Sequence, residues 1–429
     1  MSMTMSTALL TDHYELTMLQ AALRSGAAGR RAVFEVFARH LPGGRRYGVV
    51  AGTGRVLDEL EHFRFGEDEL TFLREHGIVD EPTLEFLADY RFSGSVYGYR
   101  EGDLYFPGSP IMVVEGTFAE AVVLETLILS VLNHDCAIAS AASRMANAAG
   151  TRPLIEMGSR RTHERAAVAA ARAAYIAGFS STSNLMAGRE YGIPTRGTAA
   201  HAFTLLHDSE RAAFAAQIAS LGKGTTLLVD TYDVAEAVRT AVELAGTDLG
   251  AVRIDSGDLA AAAQEVREQL DALGAFKTRI LVTSDLDEYA IAALAAAPVD
   301  GYGVGTSLVT GSGVPTAALV YKMVSRETAE GTLEPVAKRS VGKPSRGGRK
   351  HAFRLLDERG HYETELVTTS GSAPEDGIAL LHQLVRDGEI VGREPLDAAR
   401  DRHRGAVARL PLEALHLGRG YAAIPTEFA

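Results

Sequence analysis

One stretch, residues 251–285, decides the fold and reads AVRIDSGDLAAAAQEVREQLDALGAFKTRILVTSD. Its first residues, Ala251–Ile254, have the length and composition of a short buried strand. A segment with helical spacing follows at 258–273, and a second apolar strand follows at Arg279–Thr283. Because a strand, a helix and a strand in this order connect parallel neighbours, the stretch predicts one βαβ unit.

The same alternation extends over residues 150–325. Further strands are predicted at Pro153–Met157, Thr226–Val229 and Gly301–Val304, and helices at 163–177, 208–219, 233–245 and 287–296. The number of units favours a barrel over an open parallel sheet, although periodicity alone does not separate the two. The sequence therefore predicts the α/β class, with a parallel sheet in the middle of the chain.

The two ends of the chain have different patterns. Short strands such as Phe34–Phe37 alternate with loops before residue 118, and two alanine-rich helices are predicted near 118–133 and 135–149. Charged residues and turns are more frequent after residue 325, and the basic stretch 338–350 is typical of a solvated loop. We therefore predict a mixed α/β domain at 1–117, an α/β barrel at 118–325 and a carboxy-terminal segment at 326–429.

Composition excludes several classes of function. The net charge of −12 argues against general binding to nucleic acid or to an anionic membrane, because both require a basic surface. The one cysteine, Cys136, cannot form an internal disulfide and is expected to be a buried thiol. The most apolar stretch, Ala119–Leu132, is interrupted by two glutamates and is too short to span a bilayer, so we expect a cytoplasmic protein.

Three predicted strands end in an acid: Asp230, Asp255 and Asp285. Each precedes a predicted helix, so helix capping explains any one of them as well as a functional role does. Carboxyl ends of parallel strands meet at one edge, where three carboxylates could hold Mg²⁺ or bind ribose hydroxyls.

Basic groups are predicted at the same edge. Arg253 lies near a strand end, where burial is costly unless a carboxylate or an anionic ligand meets it. Arginines are concentrated in Gly158–Arg165, which precedes a helix, and they either bind an anion or pair with neighbouring glutamates. The glycine-rich segment Gly301–Ser307 can present backbone N–H groups to a phosphate, and His201 is a candidate base or nucleophile at a strand end.

Together these segments resemble the nicotinate phosphoribosyltransferases. The matching motifs occur in that family's order, and they are Thr11–Met18, Phe34–Phe37, Gly158–Arg161, Thr182–Asn184, Gly197–His201, Arg253–Asp258, Ser284–Asp285 and Gly303–Thr306. Each motif alone is modest, but eight in order are highly specific.

The resemblance implies a type II phosphoribosyltransferase, in which an amino-terminal mixed α/β domain lies beside an irregular α/β barrel. It implies a homodimer whose active site is at the subunit interface, with residues beyond 325 packing on the barrel and the dimer. The expected reaction joins nicotinate to phosphoribosyl pyrophosphate in NAD salvage, with Mg²⁺ and with ATP as co-substrate. His201 would be transiently phosphorylated by ATP, and ADP, phosphate and pyrophosphate would be the other products.

The resemblance also implies roles for the organic part of the substrates. Arg253 would pair with the nicotinate carboxylate or a nearby phosphate, and Tyr14 of the partner subunit would stack on the pyridine ring. Met157 occupies the position where relatives often have a second aromatic residue. Ser183 replaces the aspartate of relatives that use nicotinamide, which favours the acid because an aspartate would repel a carboxylate.

Phosphate, ribose and metal contacts are implied at further positions. Arg160 would bind phosphate, and Gly305 and Thr306 would bind the ribose 5′-phosphate. Asp255 and Asp285 would contact ribose hydroxyls, Mg²⁺ or both, while the metal ligands themselves stay unassigned. The remaining candidates, for pyrophosphate and ATP phosphates across the dimer, are Arg39, Lys322 and Lys343.

Other classes of protein remain open on the residues alone. A nicotinamide-specific relative would differ in its rates with acid and amide. A quinolinate phosphoribosyltransferase would need more cations for a second carboxylate and would not use ATP. A barrel aldolase would need a Schiff-base lysine at a strand end, where this chain has Asp, Arg and His. A non-catalytic scaffold would not bind phosphoribosyl pyrophosphate.

Overall fold

The structure is a computed structural model that describes residues 6–338 and 345–429. Its strands, in chain order, are β1 Arg31–Ala38, β2 Gly48–Val49, β3 Ser95–Gly98, β4 Leu104–Tyr105, β5 Pro110–Thr117, β6 Leu154–Glu156, β7 Ser181–Thr182, β8 Thr226–Leu228, β9 Ala251–Ile254, β10 Arg279–Val282, β11 Gly301–Val304, β12 Leu319–Glu327, β13 Leu333–Pro335, β14 His351–Leu356, β15 Tyr362–Thr368, β16 Ile378–Ala379, β17 His382–Arg386, β18 Glu389–Ile390 and β19 Thr426–Phe428.

The α-helices connect these strands. In chain order they are α1 His13–Ser25, α2 Thr53–His62, α3 Glu67–Glu75, α4 Glu81–Ala88, α5 Phe118–Val122, α6 Glu125–Ala149, α7 Glu164–Ile176, α8 Leu185–Tyr191, α9 His201–Leu206, α10 Glu210–Leu221, α11 Val234–Ala245, α12 Leu259–Ala272, α13 Glu288–Ala293, α14 Thr306–Val309 and α15 Leu396–Val407.

The chain divides into two compact units. Unit 1 contains the described residues up to Ser140 and those from Val314 to Ala429, and unit 2 is Ala141–Gly313. The sequence placed the boundaries at 117/118 and 325/326 instead. The difference has a simple cause: the last part of the chain pairs with the first, as when β12 lies antiparallel beside β1, and such long-range pairing leaves no local pattern.

Unit 2 has a six-stranded, fully parallel sheet with the order β7-β6-β11-β10-β9-β8. The predicted βαβ stretch is confirmed, since β9 and β10 are parallel neighbours joined by α12. The sheet is curled. Within the described residues its edge strands β7 and β8 do not pair with each other, so it forms a half-barrel and not a closed barrel. The α/β class is confirmed, and all six carboxyl ends lie along one edge.

Unit 1 is built on an antiparallel sheet of seven strands, ordered β13-β12-β1-β5-β3-β17-β18. The predicted strand at Phe34–Phe37 lies inside β1, next to the centre of this sheet. A second sheet, β16-β14-β15-β19, is formed by the carboxy-terminal region alone. Helices α1, α2 and α4 contribute leucines and valines to an apolar core that includes Leu19, Leu57 and Leu84.

The basic stretch 338–350 is not simply a solvated loop where the structure describes it. Lys350 is 5% exposed, and its Nζ donates to the Glu35 carboxylate on β1 at 2.7 Å. Arg349 forms an ion pair with Glu115 at 2.9 Å. The predicted loop therefore ends in two ion pairs with the central strands of unit 1, and its composition concealed them because the partners are more than 200 residues away in sequence.

The two predicted helices near 118–133 and 135–149 are differently divided. The short helix α5 ends at Val122. Helix α6 then extends from Glu125 to Ala149, without the break that the sequence predicted at residue 134. The run Phe118–Ala149 is long and apolar enough to span a membrane, but 67% of its most apolar window is buried inside the protein, as in a core helix. Cys136 on α6 is buried, as predicted, and burial raises the pKa of its thiol.

Candidate active site

A cavity of about 220 Å³ opens at the carboxyl edge of the parallel sheet in unit 2. Its lining comes from the ends of four strands and the loops that follow them: Met157, Arg160, Arg161, Arg253, Asp255, Thr283, Ser284, Asp285, Gly303, Gly305 and Thr306. Six of the predicted site residues thus share one cavity. Cations and carboxylates both line it, which suits a ligand that has both phosphates and hydroxyls.

The strand-end acids are not the helix caps. Helices α11, α12 and α13 are capped by Asp233, Asp258 and Asp287, whose carboxylates accept backbone N–H groups of the first helical turn. Each cap lies two or three residues after the acid that ends the strand. The capping interpretation is therefore wrong for Asp230, Asp255 and Asp285, and their carboxylates remain available at the edge of the sheet.

Arg253 is the centre of a hydrogen-bond network. Its Nε donates to Thr283 Oγ1 at 2.9 Å, and its Nη1 donates to Thr198 Oγ1 at 2.9 Å. Its Nη2 lies 3.1 Å from Asp255 Oδ1, which also accepts the Thr283 hydroxyl. With 13% of the side chain exposed, the guanidinium is partly buried and has the carboxylate that its burial requires.

His201 lies beside two of the acids. Its Nε2 is 3.9 Å from Asp255 and 4.0 Å from Asp230, and its Nδ1 is hydrogen-bonded to Thr231 Oγ1 at 3.2 Å. The side chain is 41% exposed, so a ligand can reach it. The sequence predicted that His201 lies at the end of a strand, but it is the first residue of helix α9.

Asp230 is the one strand-end acid of this cluster for which the family resemblance implied no individual role. Its Oδ2 accepts the Asp255 N–H and the Ser256 hydroxyl, both at 2.8 Å. Its Oδ1 is buried and has no hydrogen-bond partner in the described part of the chain. Buried carboxylate oxygens are normally satisfied, so this one is a free acceptor directed towards the imidazole of His201. Its place after β8 was the only sequence signal for it.

The arginine loop after β6 has unpaired cations. Arg160 and Arg161 are exposed, and neither makes an ion pair with any residue that the structure describes. The pairing considered from sequence does not occur, since Glu156 binds Gly158 and Thr182 instead. Gly158 is required here because a Cβ would lie 2.2 Å from Val309. Two free guanidinium groups at a cavity mouth favour an anionic ligand.

The opposite wall of the cavity has a strained backbone. Ser284 has a φ of 135°, which is rare for a residue with a side chain. Gly303 faces it, and a Cβ at that position would lie 2.5 Å from Thr283 and 2.7 Å from the sulfur of Met157. The Met157 side chain therefore fills the space that Gly303 leaves open and forms part of the cavity wall.

Ser183 is placed next to this cavity but does not line it. It follows β7, is exposed, and donates its backbone N–H to the carbonyl of Glu156 at 2.8 Å. Gly305 and Thr306 are at the cavity, where Thr306 begins the short helix α14. The parallel sheet brings these positions to the edge predicted from sequence, while their individual roles stay predictions.

The remaining candidates belong to unit 1. Tyr14 is 45% exposed, and its partial burial together with the nearby Glu125 carboxylate raises the pKa of its phenol. Lys322 Nζ is 3.6 Å from the same Glu125 carboxylate. Arg39 has a buried Nε that finds no hydrogen-bond partner within residues 6–338 and 345–429. Lys343 lies outside the described residues. Glu125, which the sequence analysis missed, thus joins two predicted substrate contacts.

Known proteins support the identification. The nicotinate phosphoribosyltransferase N-terminal domain family matches residues 9–133. A nicotinate phosphoribosyltransferase of Mycobacterium tuberculosis, pncB1, is 58% identical over 429 residues, covering 97% of this chain and 94% of the relative. The Bacillus subtilis nicotinate phosphoribosyltransferase is 37% identical over 368 residues, covering 83% of this chain and 75% of the relative.

Solved structures agree with these sequence matches. The crystal structure of human nicotinic acid phosphoribosyltransferase has a TM-score of 0.84 and 26% identity, covering 97% of both chains. A nicotinate-nucleotide pyrophosphorylase from Pyrococcus furiosus has a TM-score of 0.78 and 25% identity, covering 94% of this chain and 95% of that chain. The motifs of the sequence, the edge of the parallel sheet and these relatives lead to one conclusion: the chain belongs to the nicotinate phosphoribosyltransferase family.

Proposed function

We propose that this chain joins nicotinate to phosphoribosyl pyrophosphate and forms nicotinate mononucleotide, in NAD salvage. The observation that supports this most directly is the cavity of unit 2, which is lined by Arg160, Arg161 and Arg253 together with Asp255 and Asp285. Phosphoribosyl pyrophosphate has phosphates for the cations and ribose hydroxyls for the carboxylates. The names of the relatives give the acceptor of the ribosyl group.

The bond changes are simple and balanced. The bond from ribose C1 to the pyrophosphate oxygen breaks with its electron pair, and the pyridine nitrogen supplies the pair for the new C1–N bond. Positive charge develops at C1 while negative charge develops on the departing pyrophosphate. Arg160 and Arg161 are placed to stabilise that negative charge, and Asp255 is placed to orient the ribose, so the chain contributes alignment and electrostatics.

His201 is the proposed site of ATP coupling. A ring nitrogen would accept the terminal phosphoryl group of ATP with release of ADP, and water would later cleave the P–N bond to give phosphate. Asp230 and Asp255, about 4 Å from Nε2, stabilise positive charge on the imidazole. Thr231 orients the ring through Nδ1.

The residues at this edge fit Mg²⁺. No group of three or more His, Cys, Asp or Glu side chains suited to a metal occurs among the described residues. Mg²⁺ needs fewer protein ligands, because one or two carboxylates suffice when substrate phosphates complete the site. Asp255 and Asp285 line the cavity and would hold the ion, which supplies positive charge to the pyrophosphate oxygens when bound.

Tyr14, Arg39 and Lys322 are proposed to act from the partner subunit of a homodimer. A mixed-subunit experiment tests this. Tyr14→Ala and Arg253→Ala chains are each expected to lose activity, whereas hybrid dimers would regain one intact site. Recovery on mixing supports the shared site, and no recovery in confirmed hybrids contradicts it.

Ser183 supports nicotinate over nicotinamide, because a neutral side chain does not repel the carboxylate. The decisive assay measures mononucleotide formation from each base with phosphoribosyl pyrophosphate and Mg²⁺, with and without ATP. We expect ATP-stimulated product from nicotinate. His201→Ala should lose the stimulation by ATP, and a variant that keeps it would refute the phosphohistidine. If nicotinamide gives product and nicotinate does not, the proposed role of Ser183 is refuted.

A further inference from the structure

Glu156 is a fully buried acid behind the arginine loop of unit 2. It is the last residue of β6, between β11 and β7, and 0% of its surface is exposed. One carboxylate oxygen accepts the backbone N–H of Gly158, and the other accepts the hydroxyl of Thr182. The same side chain is therefore bonded both to the loop 158–161 and to the end of β7.

The contacts continue from Thr182 back to the loop. Thr182 Oγ1 accepts the backbone N–H of Asn184 at 2.9 Å. Asn184 Nδ2 is bonded to Ser159 Oγ at 2.9 Å, while its Oδ1 caps α8 by accepting the Ala187 N–H. These four hydrogen bonds, together with the peptide bond between Gly158 and Ser159, thus form a closed ring from Glu156 through Thr182, Asn184 and Ser159 to Gly158.

Among the residues that the structure describes, no cation neutralises this acid. Its side-chain partners are a hydroxyl and an amide, and burial raises its pKa. In unit 1 the buried acids Glu35 and Glu365 are instead paired with Lys350 and Arg354. A buried carboxyl without a cation is costly, so its two acceptor oxygens, and not its charge, are what this position requires.

We propose that Glu156 is a positioning residue that holds the arginine loop 158–161 and the turn after β7 in one fixed arrangement. Arg160 and Ser183 lie on these two segments, so Glu156 sets the distance between a phosphate contact and the residue that selects the base. This inference rests on the proposed function and extends it. It explains an acid that the bond changes of the reaction do not use.

Three variants test the proposal. Glu156→Leu removes both acceptors at similar volume, leaving a buried N–H without a partner, and should raise the KM for phosphoribosyl pyrophosphate and for nicotinate about tenfold. Glu156→Gln keeps an acceptor for Gly158 and can donate to Thr182, so both constants should stay within about threefold. Thr182→Val breaks the ring at another atom and should raise both KM values about threefold to tenfold.

The matched control is Glu190→Leu, because Glu190 is exposed on α8 and takes part in none of the ring's hydrogen bonds. Each kcat is normalised to the folded fraction. A purely structural role of Glu156 would lower thermal stability and active fraction but would not move KM.

Unchanged KM values in Glu156→Leu, or a Glu156→Gln enzyme as impaired as Glu156→Leu, would overturn the inference. If Glu156→Leu does not fold, Thr182→Val decides: raised KM values support the proposal, and wild-type values overturn it. Absence of product from the wild-type chain would remove the proposed function and this inference together. Wild-type turnover with unaffected variants would remove the inference alone.

Discussion

Charged residues are placed in the interior of unit 1 and at the sheet edge of unit 2, but they are satisfied in different ways. In unit 1, Arg354 and Glu365 are 1% and 0% exposed and bonded to each other. Arg354 Nη2 also donates to the Leu104 carbonyl at 2.7 Å. The Tyr99 hydroxyl donates to the other oxygen of the Glu365 carboxylate at 2.6 Å. These charges are saturated inside the protein.

At the edge of unit 2 the charges keep unused bonding capacity. Arg160 and Arg161 have no ion pair among the described residues, and Asp230 has a buried oxygen without a donor. Arg253 and Asp255 are paired, yet both line an open cavity. The difference teaches that saturation, and not burial or charge alone, separates structural ion pairs from a site prepared for a ligand.

The largest effect is expected from breaking the saturated pair. Arg354→Met leaves the buried Glu365 carboxylate without its cation and should lower the free energy of unfolding by about 3–5 kcal/mol. Denaturant titration of the purified variant measures this. The double variant Arg354→Met with Glu365→Leu removes both charges and should regain most of the loss. A single variant as stable as the wild type would contradict the comparison.

Arg253→Lys tests the unsaturated edge. Lysine keeps the charge but loses the planar fork that reaches Thr283, Thr198 and Asp255, so kcat/KM should fall about 100-fold. The free energy of unfolding should change much less than in Arg354→Met, because the site remains open to water. Steady-state kinetics and denaturation of the same sample check both parts, and an active but unstable Arg253→Lys enzyme would reverse our assignment.

Glu15 is a third kind of buried charge, and its prediction concerns pH. It is 0% exposed and accepts bonds from Thr11 and Thr126, and burial raises its pKa from 4.5 to about 7. The folded state therefore holds a proton that the unfolded state has lost between these values. This contribution to stability is present below pH 4.5 and is lost as pH rises through about 7.

Glu15→Gln cannot titrate and isolates that contribution. Between pH 5 and pH 8 the wild type should lose about 2–3 kcal/mol of unfolding free energy more than Glu15→Gln does. Denaturation at a series of pH values gives the difference between the two slopes. Parallel slopes would mean that Glu15 is ionised throughout, with its hydrogen-bond donors outweighing its burial.

The smallest effect separates a cap from a strand-end acid on the same segment. Asp258→Ala removes the cap of α12 and should cost about 1 kcal/mol of stability while kcat/KM stays near the wild-type value. Asp255→Asn, three residues earlier, should lower kcat/KM while the free energy of unfolding stays near the wild-type value. Loss of activity in Asp258→Ala without loss of stability would show that the division between caps and site acids is wrong.

Much of the site edge could be predicted because each short apolar run shows where a strand ends. The strands around Asp230, Asp255 and Asp285 were located within one residue of the observed bounds. The residue types alone do not tell which aspartate caps each helix, since Asp230 and Asp233 are equally good caps. Only the backbone path after β8 assigns the cap to Asp233.

By itself the sequence determined the α/β class, five of the six strands of the parallel sheet in unit 2 with the helices between them, and the family motifs, because periodicity and motifs are local properties of the chain; it missed β7, α8 and α9. Only the tertiary structure decided that the carboxy-terminal region joins unit 1, that Lys350 is buried against Glu35, and that Glu156 closes a ring behind the arginine loop. These features depend on contacts between distant segments, from 26 residues for Glu156 and Thr182 to 315 for Glu35 and Lys350. No local pattern records such contacts, since burial and pairing are set by where the folded chain brings the residues together.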